Sequence, residues 1–179
     1  HYAVNNQETR RMHIDTVVDE RALREIYLPG FEMAVKEAQP DTVMCAYNQL
    51  RGEFCSQNKT LLTTILREEW GHKGFVVTDW GATVDRVKGL AAGLDLEMPA
   101  SGGINDRKIV EAVEQGEVDI AVLDEVVGRI LSVLFSRTET LKEDFGYDKE
   151  AHHNLARQAA IEGSVLLKNE GALLPLGKV

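Results

Sequence analysis

Asp79 and Trp80 place a carboxylate and an indole directly after an apolar run, residues 75–77, and a threonine. The run does not alternate apolar with polar side chains, which is typical of a parallel strand covered on both faces. In barrels and open α/β sheets, reactive groups gather at the carboxyl ends of such strands. Asp79 is therefore the candidate reactive group. The alternative is that its side chain only caps the helix that follows.

Other side chains with chemical potential follow the remaining predicted strands. If the sheet is parallel, four strand ends meet at one rim, and they carry His1, Tyr47 with Asn48, Asp79 with Trp80, and Asp95 or Glu97. This set suits sugar chemistry, because an aromatic face stacks on the C–H surface of a pyranose ring and polar groups bind its hydroxyls. A carboxylate beside the ring can attack the anomeric carbon. By default, Tyr47 would be an aromatic at the edge of the core and Trp80 a core residue.

Composition and spacing exclude several classes of function. The net charge of −9 and the lack of a Lys/Arg cluster argue against a nucleic-acid partner. No apolar run approaches the roughly 18 residues that a membrane span needs. The histidines lack a metal-ligand spacing such as His-Glu-x-x-His, and neither Gly-x-Gly-x-x-Gly nor a P-loop occurs. We therefore expect no metal and no other cofactor.

The two cysteines, Cys45 and Cys55, favour free thiols over a disulfide in an acidic chain of 179 residues. Free thiols indicate a reducing compartment, so the expected location is the cytoplasm. The first residues, 1–4, contain neither an initiator methionine nor a signal peptide. We expect the chain to begin inside a structural element of a longer protein.

Helical and extended patterns alternate along the chain. Apolar residues recur at helical spacing over residues 19–37, 59–70, 83–92, 106–115, 123–135 and 150–163. Predicted strands cover residues 1–4, 42–48, 75–78, 93–99 and 164–169. Two helix-then-strand steps of about 30 residues are typical of βα repeats around a parallel sheet, so the predicted fold class is α/β.

Several local signals refine this outline. Asp19 and Asn58 are predicted N-caps, and Pro29-Gly30 is expected to kink the first helix. The polar loop of residues 5–11 is either a solvated connector or a loop that grips hydroxyls or braces other site residues. Residues 136–148 are polar and aperiodic, which is typical of a linker, and a domain boundary is expected near residue 140.

Four segments in order carry a more specific signal: HYAVNNQET (1–9), MCAYN (44–48), VVTDWG (76–81) and GLDLEMP (93–99). Together they resemble the motifs of glycoside hydrolase family 3 β-glucosidases. A fifth segment, EGSVLLKN (162–169), resembles the opening of that family's second domain. The resemblance implies the second half of a (β/α)8 TIM-like barrel at 1–137, a linker at 138–148, and the first helix and strand of an α/β sandwich at 149–179.

The resemblance also implies roles for individual residues. Asp79 matches the catalytic nucleophile, and Trp80 the indole beside the glycone. Tyr47 matches the tyrosine that positions and hydrogen-bonds the nucleophile. His1 matches the histidine of a Lys-His pair that binds sugar hydroxyls. Residues 5–11 and 95–99 match motifs whose implied role is mainly structural.

The implied activity is that of a retaining β-glucosidase acting on a β-glucoside or oligosaccharide, without a cofactor. The family's general acid/base, a glutamate, should lie beyond residue 179, and the first half of its barrel should precede His1. The chain alone is therefore expected to be inactive without the rest of the barrel and the sandwich domain. A β-xylosidase or other exo-glycosidase, and a catalytically inactive sugar-binding relative, remain as alternatives.

Overall fold

The computed structural model describes residues 1–141 and 146–177. They fall into two compact units, His1–Thr140 and Leu141–Val179. The first unit combines parallel strands with helices, as expected for the α/β class. None of the helices in the described residues combines the length and the apolar character that crossing a membrane requires.

The first unit contains five short strands and five α-helices. The strands are β1 (Asp15–Thr16), β2 (Thr42–Cys45), β3 (Gln49–Leu50), β4 (Glu53–Phe54) and β5 (Phe75–Thr78). The α-helices are α1 (Glu20–Ala22), α2 (Pro29–Met33), α3 (Arg86–Ala92), α4 (Ile104–Glu114) and α5 (Ile120–Thr138). Helix α1 continues as a π-helical turn, Leu23–Tyr27, and α2 as another, Ala34–Ala38. A longer π-helical segment spans Thr60–Glu69, and a 3₁₀ turn spans Cys55–Gln57.

The centre of this unit is the parallel pair β2–β5, in which Thr42 lies opposite Phe75 and Cys45 opposite Thr78. Single parallel bridges extend the pair on both sides, from Tyr2 to Cys45 and from Val77 to Leu96. Four backbone segments therefore lie side by side in chain order, with all their directions parallel.

The strands predicted at residues 1–4 and 93–99 are thus reduced to single bridges. At the second position the physical reason is local. The Val76 N–H, which would pair with a backbone carbonyl in a regular ladder, donates instead to the Asp95 carboxylate at 2.6 Å. A side chain has replaced the neighbouring backbone as the acceptor, and the ladder does not propagate.

A second, small sheet joins β1, β3 and β4. Strand β1 runs parallel to β3, and β3 forms an antiparallel hairpin with β4. Arg51 and Gly52 at the hairpin turn have φ values of 53° and 86°, the left-handed values that a type I′ turn requires. The sequence predicts no strands at these positions, since two-residue strands are too short to show a period.

The predicted helix caps and kink are confirmed. The Asp19 carboxylate accepts a hydrogen bond from Ala22 N at 2.7 Å, and the Asn58 side chain accepts one from Leu61 N at 2.9 Å. Pro29 is the first residue of α2 and separates it from the preceding turn, because proline has no N–H to continue the helical bonding.

Helix α3 begins at Arg86, later than the predicted start at residue 83. Asp85 is its N-cap, and its carboxylate accepts a hydrogen bond from Lys88 N at 3.0 Å. The interpretation that Asp79 only caps the following helix is therefore wrong. Helix α5 continues through Thr138, so the first residues of the predicted linker are helical.

The main hydrophobic core lies between the parallel strands and the Thr60–Glu69 segment. The apolar stripe predicted for this segment is confirmed, because its side chains at positions 61, 62, 65 and 66 are fully buried. Burying each leucine or isoleucine is worth about 1.5–3 kcal/mol. A second cluster joins α3, α4 and α5 through Leu90, Ile109, Ala112, Val118 and Val126.

The second unit contains helix α6 (Lys149–Gly163) and a 3₁₀ turn at Glu170–Ala172. Asp148 caps α6 by accepting a hydrogen bond from Ala151 N at 2.9 Å. The strand predicted at 164–169 does not form. A strand needs a neighbouring backbone to pair with, and Leu167 in this segment is 91% exposed. Residues 142–145 of the predicted linker lie outside the described residues.

Candidate active site

Strand register brings the candidate residues to one end of the parallel pair. Cys45 and Thr78 face each other as the last residues of β2 and β5, and Tyr2 bridges to Cys45. His1, Tyr47 and Asp79 follow or adjoin these positions, so they meet although they are distant in sequence.

The Asp79 carboxylate has a hydrogen-bond donor at each oxygen. Oδ2 lies 2.5 Å from His1 Nε2, and Oδ1 accepts from the Trp80 backbone N–H at 2.6 Å. An ionised carboxylate is an acceptor only, so both contacts are satisfied by its charged form. The Asp79 side chain is 18% exposed, so the carboxylate is accessible to a substrate while the two hydrogen bonds orient it.

His1 lies between three polar or aromatic groups. Its Nε2 contacts Asp79, and its Nδ1 contacts the side-chain amide nitrogen of Asn5. The Tyr47 ring meets the imidazole edge-on, with 5.5 Å between centroids and an interplanar angle of 78°. Both ring nitrogens are therefore engaged, and the imidazole plane is set by its neighbours.

Tyr47 is buried beside this pair. Its hydroxyl donates to the Trp80 carbonyl at 3.0 Å, and the Arg11 guanidinium lies 4.8 Å above the ring centroid. Burial raises the pKa of the Tyr47 phenol, and the neighbouring Asp79 carboxylate raises this pKa further. The phenol therefore remains a neutral donor and anchors the backbone that follows Asp79.

Trp80 is 61% exposed, so the interpretation of its indole as a core side chain is wrong. In contrast to the exposed indole, the Trp80 backbone is held by hydrogen bonds: its N–H donates to the Asp79 carboxylate, and its carbonyl accepts from the Tyr47 hydroxyl. The indole is thus carried on a fixed backbone at the mouth of the site.

The fourth predicted strand end does not join the site. The Asp95 side chain is fully buried, and it accepts hydrogen bonds from Arg67 Nη2 at 2.6 Å and Arg129 Nε at 2.7 Å. The Asp95 carboxylate also accepts a hydrogen bond from Val76 N in β5, so it lies beside the strand three residues before Asp79. Glu97 is held by the Asn105 side chain at 2.7 Å. These two carboxylates stabilise the packing and have no part in the candidate site.

Sequence reasoning did not single out Asn5 and Arg11, both in the polar loop of residues 5–11. Asn5 contacts His1, and Arg11 packs on Tyr47. The interpretation of this loop as a brace for other site residues therefore applies to these two positions. The available signal was the density of hydrogen-bonding side chains next to His1.

No metal centre is evident in the part of the chain that the structure describes, where no three side chains of His, Cys, Asp or Glu form a group suited to a metal ion. Cys45 and Cys55 are free and buried. Burial raises the pKa of each thiol to about 12, so neither is a nucleophile at neutral pH.

A profile of the family described as the glycosyl hydrolase family 3 N terminal domain matches residues 1–133. The chain belongs to this family. The resemblance read from the four motifs between residues 1 and 99 is thereby confirmed. The fifth segment, residues 162–169, lies beyond the match.

Several family 3 relatives match along almost the whole chain. Thermostable beta-glucosidase B of Acetivibrio thermocellus is 62% identical over 99% of the chain and 24% of its own length. An exo-alpha-(1->6)-L-arabinopyranosidase of Bifidobacterium longum is 49% identical over 98% of the chain and 23% of its own length. This family 3 chain therefore spans about a quarter of the length of these relatives.

Solved family 3 structures show the same relation. A β-glucosidase of Bifidobacterium adolescentis superimposes with a TM-score of 0.83 at 46% identity, over 98% of this chain and 26% of that one. Beta-glucosidase 3B of Thermotoga neapolitana in complex with glucose gives a TM-score of 0.81 at 48% identity, over 99% and 26%. The fold described above thus matches about a quarter of each of these two solved chains.

Proposed function

We propose that the full-length protein containing this chain is a retaining β-glucosidase that removes terminal β-linked glucose through a covalent glycosyl-aspartate. The observation that carries the proposal is the Asp79 carboxylate, which two donors orient at the end of a parallel strand beside the exposed Trp80 indole. The relatives named as β-glucosidases and the related structure with bound glucose support the choice of sugar.

In the proposed reaction, an Asp79 oxygen attacks the anomeric carbon, and the bond to the leaving-group oxygen breaks. A glutamate outside this chain gives its proton to that oxygen and then removes a proton from the water that hydrolyses the ester. Trp80 offers a face for the sugar ring, and His1 binds sugar hydroxyls or the nucleophile. Tyr47 holds the backbone carbonyl of Trp80, next to the nucleophile. Asp79 is regenerated as a carboxylate at the end of each cycle.

The proposed architecture is the second half of a (β/α)8 barrel at 1–137, a linker at 138–148 and the start of an α/β sandwich at 149–179. Four parallel backbone segments in chain order, with intervening helices, support the barrel assignment.

We further propose that the 179-residue chain is inactive by itself, because the acid/base glutamate and the other strands would come from the rest of the protein. Two free thiols support a cytoplasmic location.

Covalent trapping tests the proposed nucleophile. The full-length protein is inactivated with a 2-deoxy-2-fluoro-β-glucosyl fluoride, digested, and analysed by mass spectrometry. We expect one adduct on the peptide containing residues 74–81, at Asp79, and no adduct in Asp79→Asn. Asp85→Asn is the matched control, since asparagine is also a good N-cap and this variant should label as the wild type does.

The outcomes separate the alternatives. An adduct at another carboxylate would refute the role of Asp79. Glucose binding without turnover or labelling would identify an inactive sugar-binding relative. Turnover of an aryl β-glucoside by the purified 179-residue chain would contradict the proposal that this chain is inactive alone.

A second candidate is an exo-glycosidase for a pentose, such as an arabinopyranosidase or β-xylosidase. The 49% identity to an arabinopyranosidase favours keeping it. Comparing kcat/KM for aryl β-glucoside, β-xyloside and α-L-arabinopyranoside on the full-length protein decides between these substrates. We expect the β-glucoside to have the highest value.

A further inference from the structure

A continuous chain of contacts leads from the polar loop to the candidate nucleophile. The Asn5 amide nitrogen contacts His1 Nδ1, and His1 Nε2 contacts Asp79 Oδ2 at 2.5 Å. Asn5 is half-buried, and its amide oxygen is buried without a hydrogen-bond partner among the described residues. Within the described residues, the side-chain amide of Asn5 therefore makes its hydrogen-bond contact through its nitrogen, to His1.

The donor and acceptor pattern along this chain constrains the imidazole. The Asp79 carboxylate can only accept, so the hydrogen of this contact must be on His1 Nε2. The amide nitrogen of Asn5 can only donate, so His1 Nδ1 must offer its lone pair. Both conditions hold together only for the neutral imidazole with its hydrogen on Nε2.

We infer that Asn5 is a positioning residue that holds His1 as the neutral Nε2–H tautomer, so that His1 donates to Asp79 and aims the nucleophile. This inference rests on the proposed function and deepens it. A neutral donor orients the carboxylate without pairing it with a full positive charge, and the carboxylate keeps its electron density for attack. A doubly protonated His1 would place two N–H donors against each other at Asn5.

Among the residues that the structure describes, few other groups near His1 can change charge. Besides Asp79, these are the Tyr47 phenol, the Arg11 guanidinium on that ring and the Cys45 thiol at the adjoining bridge. The phenol and the buried thiol have raised pKa values and stay neutral around pH 7. A change at Asn5 is thus the most direct way to alter which protons His1 carries.

Two substitutions at Asn5 test the tautomer in the full-length protein, with the first-order rate of covalent trapping by the fluorinated inactivator as the readout. Asn5→Asp keeps the shape but replaces the donor with an acceptor, which favours the doubly protonated imidazole. We expect the acid limb of the trapping-rate profile to move to higher pH by about one unit or more. Asn5→Ala should lower the trapping rate about 10–100-fold, the same size of effect as removing the partner that orients a metal-ligating histidine.

Asn6→Asp and Asn6→Ala are matched controls, because Asn6 is adjacent and exposed and its side chain makes no hydrogen bond within residues 1–141 or 146–177. Both should trap with the wild-type pH profile. For Asn5→Ala, the inactivator's dissociation constant should change less than about threefold, whereas a residue that only binds sugar would change this constant and not the rate.

A double-mutant cycle keeps the inference testable even if one variant is poorly folded. If Asn5 acts through His1, Asn5→Ala should have little further effect on the trapping rate in a His1→Gln background. Additive effects, or an unshifted acid limb in Asn5→Asp with Asp79 still labelled, would overturn the inference and leave the nucleophile assignment intact. Absence of an adduct on wild-type Asp79 would instead refute the proposed function.

Discussion

Replacing Asp95 with asparagine should loosen strand β5 and thereby the support of Asp79. The Asp95 side chain is fully buried, and it accepts hydrogen bonds from Arg67, Arg129 and the Val76 N–H at 2.6–2.7 Å. Asparagine keeps the volume and can still accept from Val76. It removes the fully buried charge that pairs with both guanidinium groups, and it turns an N–H₂ toward a donor.

The expected cost follows from the burial of all three partners. The Arg67 and Arg129 side chains are only 13% and 19% exposed, so solvent screens their charges weakly. Removing one partner of a buried ion pair costs about 3–5 kcal/mol. Two charge-assisted hydrogen bonds at about 1.5–3 kcal/mol each give a similar figure. Burial already lowers the pKa of Arg67, and the Asp95 charge opposes this effect. Removing the Asp95 charge therefore leaves a buried guanidinium whose charged form burial already disfavours.

Hydrogen exchange of the full-length protein, followed by mass spectrometry, measures the effect where it should occur. The peptide covering Phe75–Thr78 should exchange about a hundred- to several-thousand-fold faster in Asp95→Asn, since each 1.4 kcal/mol of opening free energy is a factor of ten. Asp124→Asn is the control, because Asp124 is exposed on α5 and forms no ion pair in the described chain. Protection of β5 within about threefold of the wild type would refute the reasoning.

Two further predictions concern positions beside the same strand, and unfolding of the full-length protein measures both. Gly74→Ala should lower the Tm, because the new Cβ would lie 1.9 Å from the Asp41 carbonyl oxygen. Gly128→Ala in α5 is the control: nothing described lies within 4 Å of its new Cβ, so it should be neutral or stabilising by about 0.5–1 kcal/mol. Equal changes in Tm for the two variants would contradict this prediction. Burial and the nearby Arg67 charge lower the pKa of His72, so its neutral form stabilises the fold above about pH 6.5, and this stability is lost as the pH falls from there through the folded-state pKa, by at most about 1.4 kcal/mol per pH unit. His72→Gln should flatten the dependence of stability on pH below about 6.5, and parallel profiles would argue against it.

Much of the fold is encoded in short stretches of sequence. The apolar run of β5, the buried stripe of the Thr60–Glu69 segment and the caps Asp19 and Asn58 are all visible as local patterns. Each depends on neighbours within a few residues, where side-chain spacing and backbone bonding are directly coupled. The strand at 164–169 failed for the opposite reason, because an apolar run forms a strand only where another backbone pairs with it.

The candidate site also combines features that are visible in short stretches of sequence with contacts between distant residues. The order of residues already shows that a carboxylate and an indole follow an apolar strand, and that a histidine and a tyrosine lie in two other predicted strands. The contact between His1 and Asp79, which are 78 residues apart, and the pairing of Asp95 with Arg67 and Arg129 depend on how the chain packs in three dimensions. Strand register and helix packing set these distances, and they depend on the whole sheet, which no local period records.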